Sequence, residues 1–224
     1  FARGTTMGII KLDAYGLLIS GQDRYTFLDG LSTNKVDSSC STVLTTTSAK
    51  IIDVVDVIEV GDNLAVVGYG PYKDKVLAHL QPRILQQNVT IRDVTSLNNV
   101  HLSTDNYPEE PGITVTRSFL GWLLVTSIKN SLQESMTLDQ FTEYRTKNTI
   151  PYQGHEITPD VHPFNCGLED LVHESKGCYI GQEILTRMRS RGKMGKQLVQ
   201  VAIDAEDATT VGTEYALAIR RMPP

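Results

Sequence analysis

The sequence predicts an α+β fold of small antiparallel sheets, and three observations carry that prediction. β-branched, apolar runs of strand length recur, and two of them are joined by a tight turn at Gly61-Asp62. Short stretches between the runs place apolar residues at helical spacing, as in Tyr25, Leu28 and Leu31. From residue 51 to residue 94 the order is strand, strand, helix, strand, which suits an antiparallel layer with helices packed on it.

Taken in order, residues 9–12 and 16–20 read as strand, turn, strand. Ser20-Gly21-Gln22-Asp23 then offers polar capping groups for a helix that Gly30 weakens and Ser32-Thr33-Asn34 ends. Residues 51–60 and 63–69 form a hairpin. Pro71 opens a helix with an apolar stripe of Val76, Leu77, Leu80 and Ile84, and Pro82 distorts its end. Residues 89–94 alternate as a strand, and the proline-rich stretch 105–112 is a loop. Residues 113–116 and 121–126 are two more strands. Thr137 caps a helix that uses Leu138, Phe141 and Tyr144 and stops before Pro151. Residues 182–185 look helical, and 197–203 and 214–219 are short strands. No internal repeat is visible. The expected parts are 1–105, 106–148, 149–194 and 195–224.

Composition narrows the function classes. At 224 residues, 40% hydrophobic and 21% charged, the chain can bury a core and has an ordinary globular make-up. A formal net charge of -5 argues against a broad nucleic-acid surface. The three cysteines, Cys40, Cys166 and Cys178, are too few and too odd in number for a disulfide framework, so a reducing compartment is expected. No apolar run approaches the ~20 residues of a membrane helix. The first residues lack the apolar region of a secretory signal, which leads to an expectation of the cytoplasm, with Met7 as the natural start.

Several groups could carry chemistry. Cys178 lies between two glycines just before a helical stretch, with Gly181 at the junction. Helix-entry N–H groups and the helix dipole favour an anion or a thiolate there. The thiol is either reactive or a small hydrophobe packing the helix entry. Arg187, Arg189, Arg191, Lys193 and Lys196 form a basic run that either receives ligand carboxylates or is a solvated face. Glu169, Asp170 and Glu183 could pair with an amino-pyrimidine edge or stand exposed. Asp53 and Asp56, three apart on a strand, face opposite sides, so one is expected at a cleft and the other in solvent. No CxxC and no familiar His-pair spacing is present, and three dispersed cysteines do not give a monomer an iron–sulfur cluster of its own, which leaves a shared or transient cluster open.

The octapeptide KGCYIGQE (Lys176, Gly177, Cys178, Tyr179, Ile180, Gly181, Gln182, Glu183) closely resembles the motif of the YgfZ-type folate-binding proteins, relatives of the glycine cleavage T-protein (aminomethyltransferase). Residues 150–172, IPYQGHEITPDVHPFNCGLEDLV, and residues 16–34, GLLISGQDRYTFLDGLSTN, resemble flanking stretches of both groups, and 51–67 resembles their hairpin. The resemblance implies small α+β domains in a ring around a central folate site, with a C-terminal β-barrel that is shortened here. It implies tetrahydrofolate as cofactor, iron–sulfur client or assembly proteins as partners, and Cys178 as the functional residue. By the same resemblance Lys176, Gly177, Tyr179, Gly181, Gln182, Glu183, Glu169, Arg187, Arg191 and Asp53 are candidate cofactor-binding positions. T-proteins carry paired aspartates in the hairpin, and this chain has Asp53 followed by Val54. The expected function is therefore an accessory role in assembly or repair of iron–sulfur proteins. The alternative is a tetrahydrofolate-dependent aminomethyltransferase, which would need a carboxylate that Val54 does not provide.

Overall fold

A computed structural model describes residues 8–191 and 195–221. Among them are twelve strands and four α-helices, and every strand pairing in the three sheets is antiparallel. The first sheet has five strands in the order β3-β4-β5-β2-β6: β2 (Ala14–Ser20), β3 (Cys40–Thr45), β4 (Ile51–Val60), β5 (Asn63–Tyr69) and β6 (Thr90–Asp93). Helices α1 (Arg24–Leu31) and α2 (Lys73–Leu80) cover one face of it. There Phe27, Leu28 and Leu31 of α1 and Val76 and Leu80 of α2 meet Tyr15, Leu17, Ile19, Val55 and Val57 of the strands. The alternation of β2 produces this face, because every second residue from Tyr15 points at the helices.

The second sheet runs β1-β7-β9-β8, made of β1 (Ile9–Lys11), β7 (Asn98–Ser103), β8 (Ile113–Ser118) and β9 (Gly121–Ser127). It draws strands from both sides of residue 105. Its Val100 and Leu123 pack on Ile58 and Val67 of the first sheet. Helix α3 (Leu138–Asn148) lays Phe141 against Ile10, Leu102 and Leu120. A third sheet, β10-β12-β11, joins β10 (Lys196–Val201), β11 (Thr210–Val211) and β12 (Ala216–Arg221), and among the described residues it is a three-stranded sheet rather than a closed barrel. Helix α4 (Gln182–Ser190) rests Leu185 on Ala49, Phe164 and Val172.

The strand, turn, strand over residues 9–20 sends its two strands to different sheets: β1 pairs with β7 and β2 with β5 and β6, so the chain crosses between sheets at Leu12-Asp13. One expectation is corrected. Neither Asp53 nor Asp56 is solvated, at 0% and 4% exposure. β4 is covered on both faces, by α1 and α2 over Val55 and Val57 and by the second sheet over Ile58, so its central residues are enclosed whichever way they point.

Candidate functional site

The thiol loop is pinned at both ends. The Lys176 side chain is 1% exposed, and its ammonium pairs with Asp29 Oδ1 at 2.9 Å. It also donates to the carbonyls of Asp29 (2.6 Å), Ser32 (3.0 Å) and Asn34 (2.7 Å). A helix presents unpaired carbonyls and the negative end of its dipole at its C-terminus, so a buried ammonium at the end of α1 is well placed. Burial pulls the Lys176 ammonium below the usual lysine range, and Asp29 opposes that pull. At the other end, Thr45 Oγ1 donates to the Ile180 carbonyl at 2.8 Å, and Ile180 N donates to Gly30 O at 3.3 Å. Gly181 has φ 86°, and a Cβ there would meet Thr45 Oγ1 at 2.8 Å and Thr46 O at 2.9 Å. Only glycine fits that backbone without strain. Gln182 Nε2 reaches back to the carbonyls of Lys176 (3.5 Å) and Gly177 (3.3 Å).

Between these anchors Gly177 and Cys178 are exposed, and Tyr179 is half-buried beneath the Lys176 ammonium, 5.2 Å from its ring centre. The other two cysteines are of a different kind. Burial pushes the Cys40 thiol up to about 11 and drives that of buried Cys166 higher still. Both are wholly or partly shielded from solvent, and Cys178 is the exposed thiol of the three.

The remaining motif residues are dispersed around this loop. Glu183 pairs with Arg187 at 2.8 Å one turn along α4, both exposed. Arg189 lies over the Phe164 ring and donates to Val172 O at 2.8 Å. Arg191 is exposed at the end of α4, and Lys193 lies outside the described residues. Half-buried Glu169 sits in a short 3-10 turn, Glu169–Leu171, on the wall of an open polar groove with Asp170, His173, Glu174 and Arg189. The Lys176 head is thus turned to the carbonyls of α1 rather than to that groove.

A second locus lies between the two large sheets. A cleft of about 420 Å³ runs between β2, β4 and β5 on one side and β7, β8 and β9 on the other. Its walls carry no charged side chain, and small residues at Ala14, Gly16 and Ala65 leave the space open. Val67 and Ala14 also wall an inner chamber of about 20 Å³, which Val54, Asp56, Tyr69, Tyr152 and Gln153 help to enclose.

Asp53 lies behind this chamber. It accepts hydrogen bonds from Tyr15 Oη (3.0 Å), Tyr69 N (3.1 Å), Gln153 Nε2 (3.1 Å) and Val54 N (2.8 Å). Gly68 stands opposite Tyr15 across the strands, and a Cβ on it would collide with Tyr15 Oη and Asp53 Oδ2. Burial pushes the Asp53 carboxyl up to about 7 against the pull of these donors. Asp56 receives Ser41 Oγ and, at 2.7 Å, Ser118 Oγ, while burial raises it to about 6. Val54 turns into an apolar cluster with Val43, Ile157, Cys166 and Leu168.

The structure therefore divides the expected site residues. None of Lys176, Gly177, Cys178, Tyr179, Gly181, Gln182 and Glu183 lines the cleft or the chamber. Helices α1 and α2 and the thiol loop's Ile180 pack on one face of the five-stranded sheet, and the cleft lies on the other. Tyr69, Tyr152, Gln153 and Asp56 line the chamber, and motif spacing does not pick them out as a group. Gln153 sits in a short polar turn of the chain, where a glutamine gives no local signal of burial.

No protein-family model matches the sequence, and no curated protein matches it. Among solved structures the fold is that of the glycine cleavage T-proteins. The glycine cleavage system aminomethyltransferase T from Bartonella henselae superposes with a TM-score of 0.79, covering 96% of this chain and 78% of that one, at 13% sequence identity. The likeness is one of fold. Among the described residues no helix is long and apolar enough to cross a membrane.

Proposed function

We propose that this chain is a folate-binding accessory protein that supports assembly or repair of iron–sulfur proteins, with the Cys178 thiol as the group that meets the client. The observation that carries the reading is the exposed Cys178 on a loop fixed by Lys176 at one end and by Ile180-Gly181 at the other. Preorganisation of this kind costs glycine freedom and buries an ammonium, which a merely connecting loop does not require. One cysteine cannot own a cluster, which takes four ligands in most cases. It can give a single thiolate ligand to a cluster that the partner holds.

A folate-class ligand is supported by the T-protein-like fold and by the cleft, which is large enough for fused rings and neutral along its walls. When bound, a tetrahydrofolate supplies one-carbon chemistry, and the residues of this chain would orient it and exclude water. Aminomethyl transfer is disfavoured because Val54 is packed in an apolar cluster and the Asp53 oxygens already accept four donors.

Titration calorimetry with tetrahydrofolate tests the ligand: saturable heat is expected from the wild type and from Cys178→Ser alike. Absence of heat at high concentration would remove the folate part of the proposal. Formation of ammonia from an aminomethyl donor would favour the transferase instead.

A further inference from the structure

Gln153 is 3% exposed, and its Nε2 donates to Asp53 Oδ1 and to the Val54 carbonyl, both at 3.1 Å. A carbonyl can only accept, so these two bonds fix which end of the amide is nitrogen. Oε1 consequently faces away from them. It is buried and, among the described residues, has no hydrogen-bond partner. Buried acceptors are rarely left so, and each such case calls for a ligand or a water.

The surroundings suit a donor. The chamber that Gln153 walls also has Asp13 and Asp56 on its lining, so it is rich in acceptors. At about 20 Å³ it admits one water-sized group, whereas the adjoining cleft of about 420 Å³ admits several rings. Tyr69 and Tyr152, 5.7 Å apart, supply ring surface at the chamber.

We propose that Gln153 Oε1 is the hydrogen-bond acceptor for an amino or N–H tip of a flat, neutral heteroaromatic ligand whose body lies in the inter-sheet cleft. The identification of that ligand as a pteridine rests on the folate reading above; the role of Gln153 does not. Asp53 and the Val54 carbonyl hold the amide so that its oxygen is presented to the chamber. The ligand therefore enters on the sheet face opposite the thiol loop.

The test uses the full chain with three variants and two probes, tetrahydrofolate and the amino-pyrimidinone fragment isocytosine, by calorimetry. Gln153→Met removes the acceptor and should weaken both probes about ten-fold or more. Gln153→Glu, assayed near pH 5 where a buried carboxyl keeps its proton, retains an oxygen for the ligand and an O–H to donate to Asp53 or the Val54 carbonyl, and it should retain binding within about three-fold. Ala65→Leu fills the cleft without touching the chamber network and should abolish tetrahydrofolate binding while leaving the thermal midpoint near that of the wild type. If Gln153→Met fails to fold, Gln153→Glu carries the test alone: a folded Gln153→Glu that binds isocytosine as the wild type does near pH 5 sustains the proposal, and one that has lost it overturns the proposal. Binding unchanged in Gln153→Met would mean that Oε1 faces only a water, and equal weakening in Gln153→Met and Gln153→Glu would reduce Gln153 to a structural partner of Asp53. Either result overturns the proposal while leaving folate binding in place. Isocytosine binding that depends on Gln153, without tetrahydrofolate binding, would sustain the proposal and sink the folate reading. Binding of neither probe overturns both.

Discussion

The Lys176 ammonium shows how a motif residue can fix a loop through buried bonds. Its three carbonyl partners and Asp29 belong to α1 and the turn after it, so it fastens the thiol loop to the first sheet's helix layer. Lys176→Met should lower stability by about 1–3 kcal/mol, a reduced figure because Asp29 is partly exposed. It should also change the rate at which iodoacetamide alkylates Cys178, a readout a purely structural loss elsewhere would not move. Asp53 gives a second residue-level expectation. Its carboxyl titrates near 7 in the fold against 3.8 unfolded. A raised carboxyl binds its proton more tightly when folded, so its contribution is full below about pH 4 and is lost as pH rises through about 7. The unfolding free energy read from urea titrations should therefore fall across that window by an amount on the order of a few kcal/mol, and Asp53→Asn should flatten the slope. At this scale the sequence reveals the thiol and its glycines, which are local. It conceals Gln153 and the burial of Asp56, which depend on strands and turns far away in the chain.

Elements are legible where their signals are local. The helix from Leu138 to Asn148 begins at Thr137, whose hydroxyl accepts from Gln140 N while the Gln140 side chain accepts from Thr137 N. That capping box is written in adjacent residues. The hairpin of β4 and β5 is likewise set by Gly61-Asp62 between two β-branched runs. Strands β3 and β7 are not legible. β3 reads CSTVLT and β7 reads NNVHLS, too polar and too short to announce burial. In β7 the polar residues are buried because a distant segment covers them: Asn99 Nδ2 donates to the carbonyls of Ser127, Ile128 and Asn130. The entry to α4 supplies the prediction at this scale. Gly181→Ala would force a Cβ against Thr45 and Thr46 in a left-handed conformation, and the thermal midpoint should drop by the equivalent of about 1–3 kcal/mol. A midpoint unchanged from wild type would mean that the loop anchor is soft.

Across the whole molecule, one buried ion pair ties the C-terminal sheet to the rest. Arg145 of α3 pairs with Glu156 at 3.2 Å, both almost wholly enclosed. Glu156 also accepts from Tyr152 N at 3.1 Å and from the hydroxyls of Thr209 and Thr210 at 2.6 and 2.5 Å, the latter in β11. Glu156→Ala would strand the guanidinium and should cost about 3–5 kcal/mol, with loss of amide-exchange protection in β11 and β12 before the first sheet opens. Tyr152 belongs to the same network and to the chamber wall, so the brace also shapes the chamber. The α+β class is readable from periodicity. The splitting of the site into a cleft on one sheet face and a thiol on the other is not, because it depends on how the sheets stack.

That separation lets one substitution test the role of the thiol, since Cys178 can be changed without touching the cleft. The measurement is the activity of iron–sulfur enzymes in a strain lacking this protein, complemented with wild type or with Cys178→Ser at equal abundance. Rescue is expected from the wild type and none from the serine variant. Full rescue by Cys178→Ser would show that the exposed thiol is not the working group.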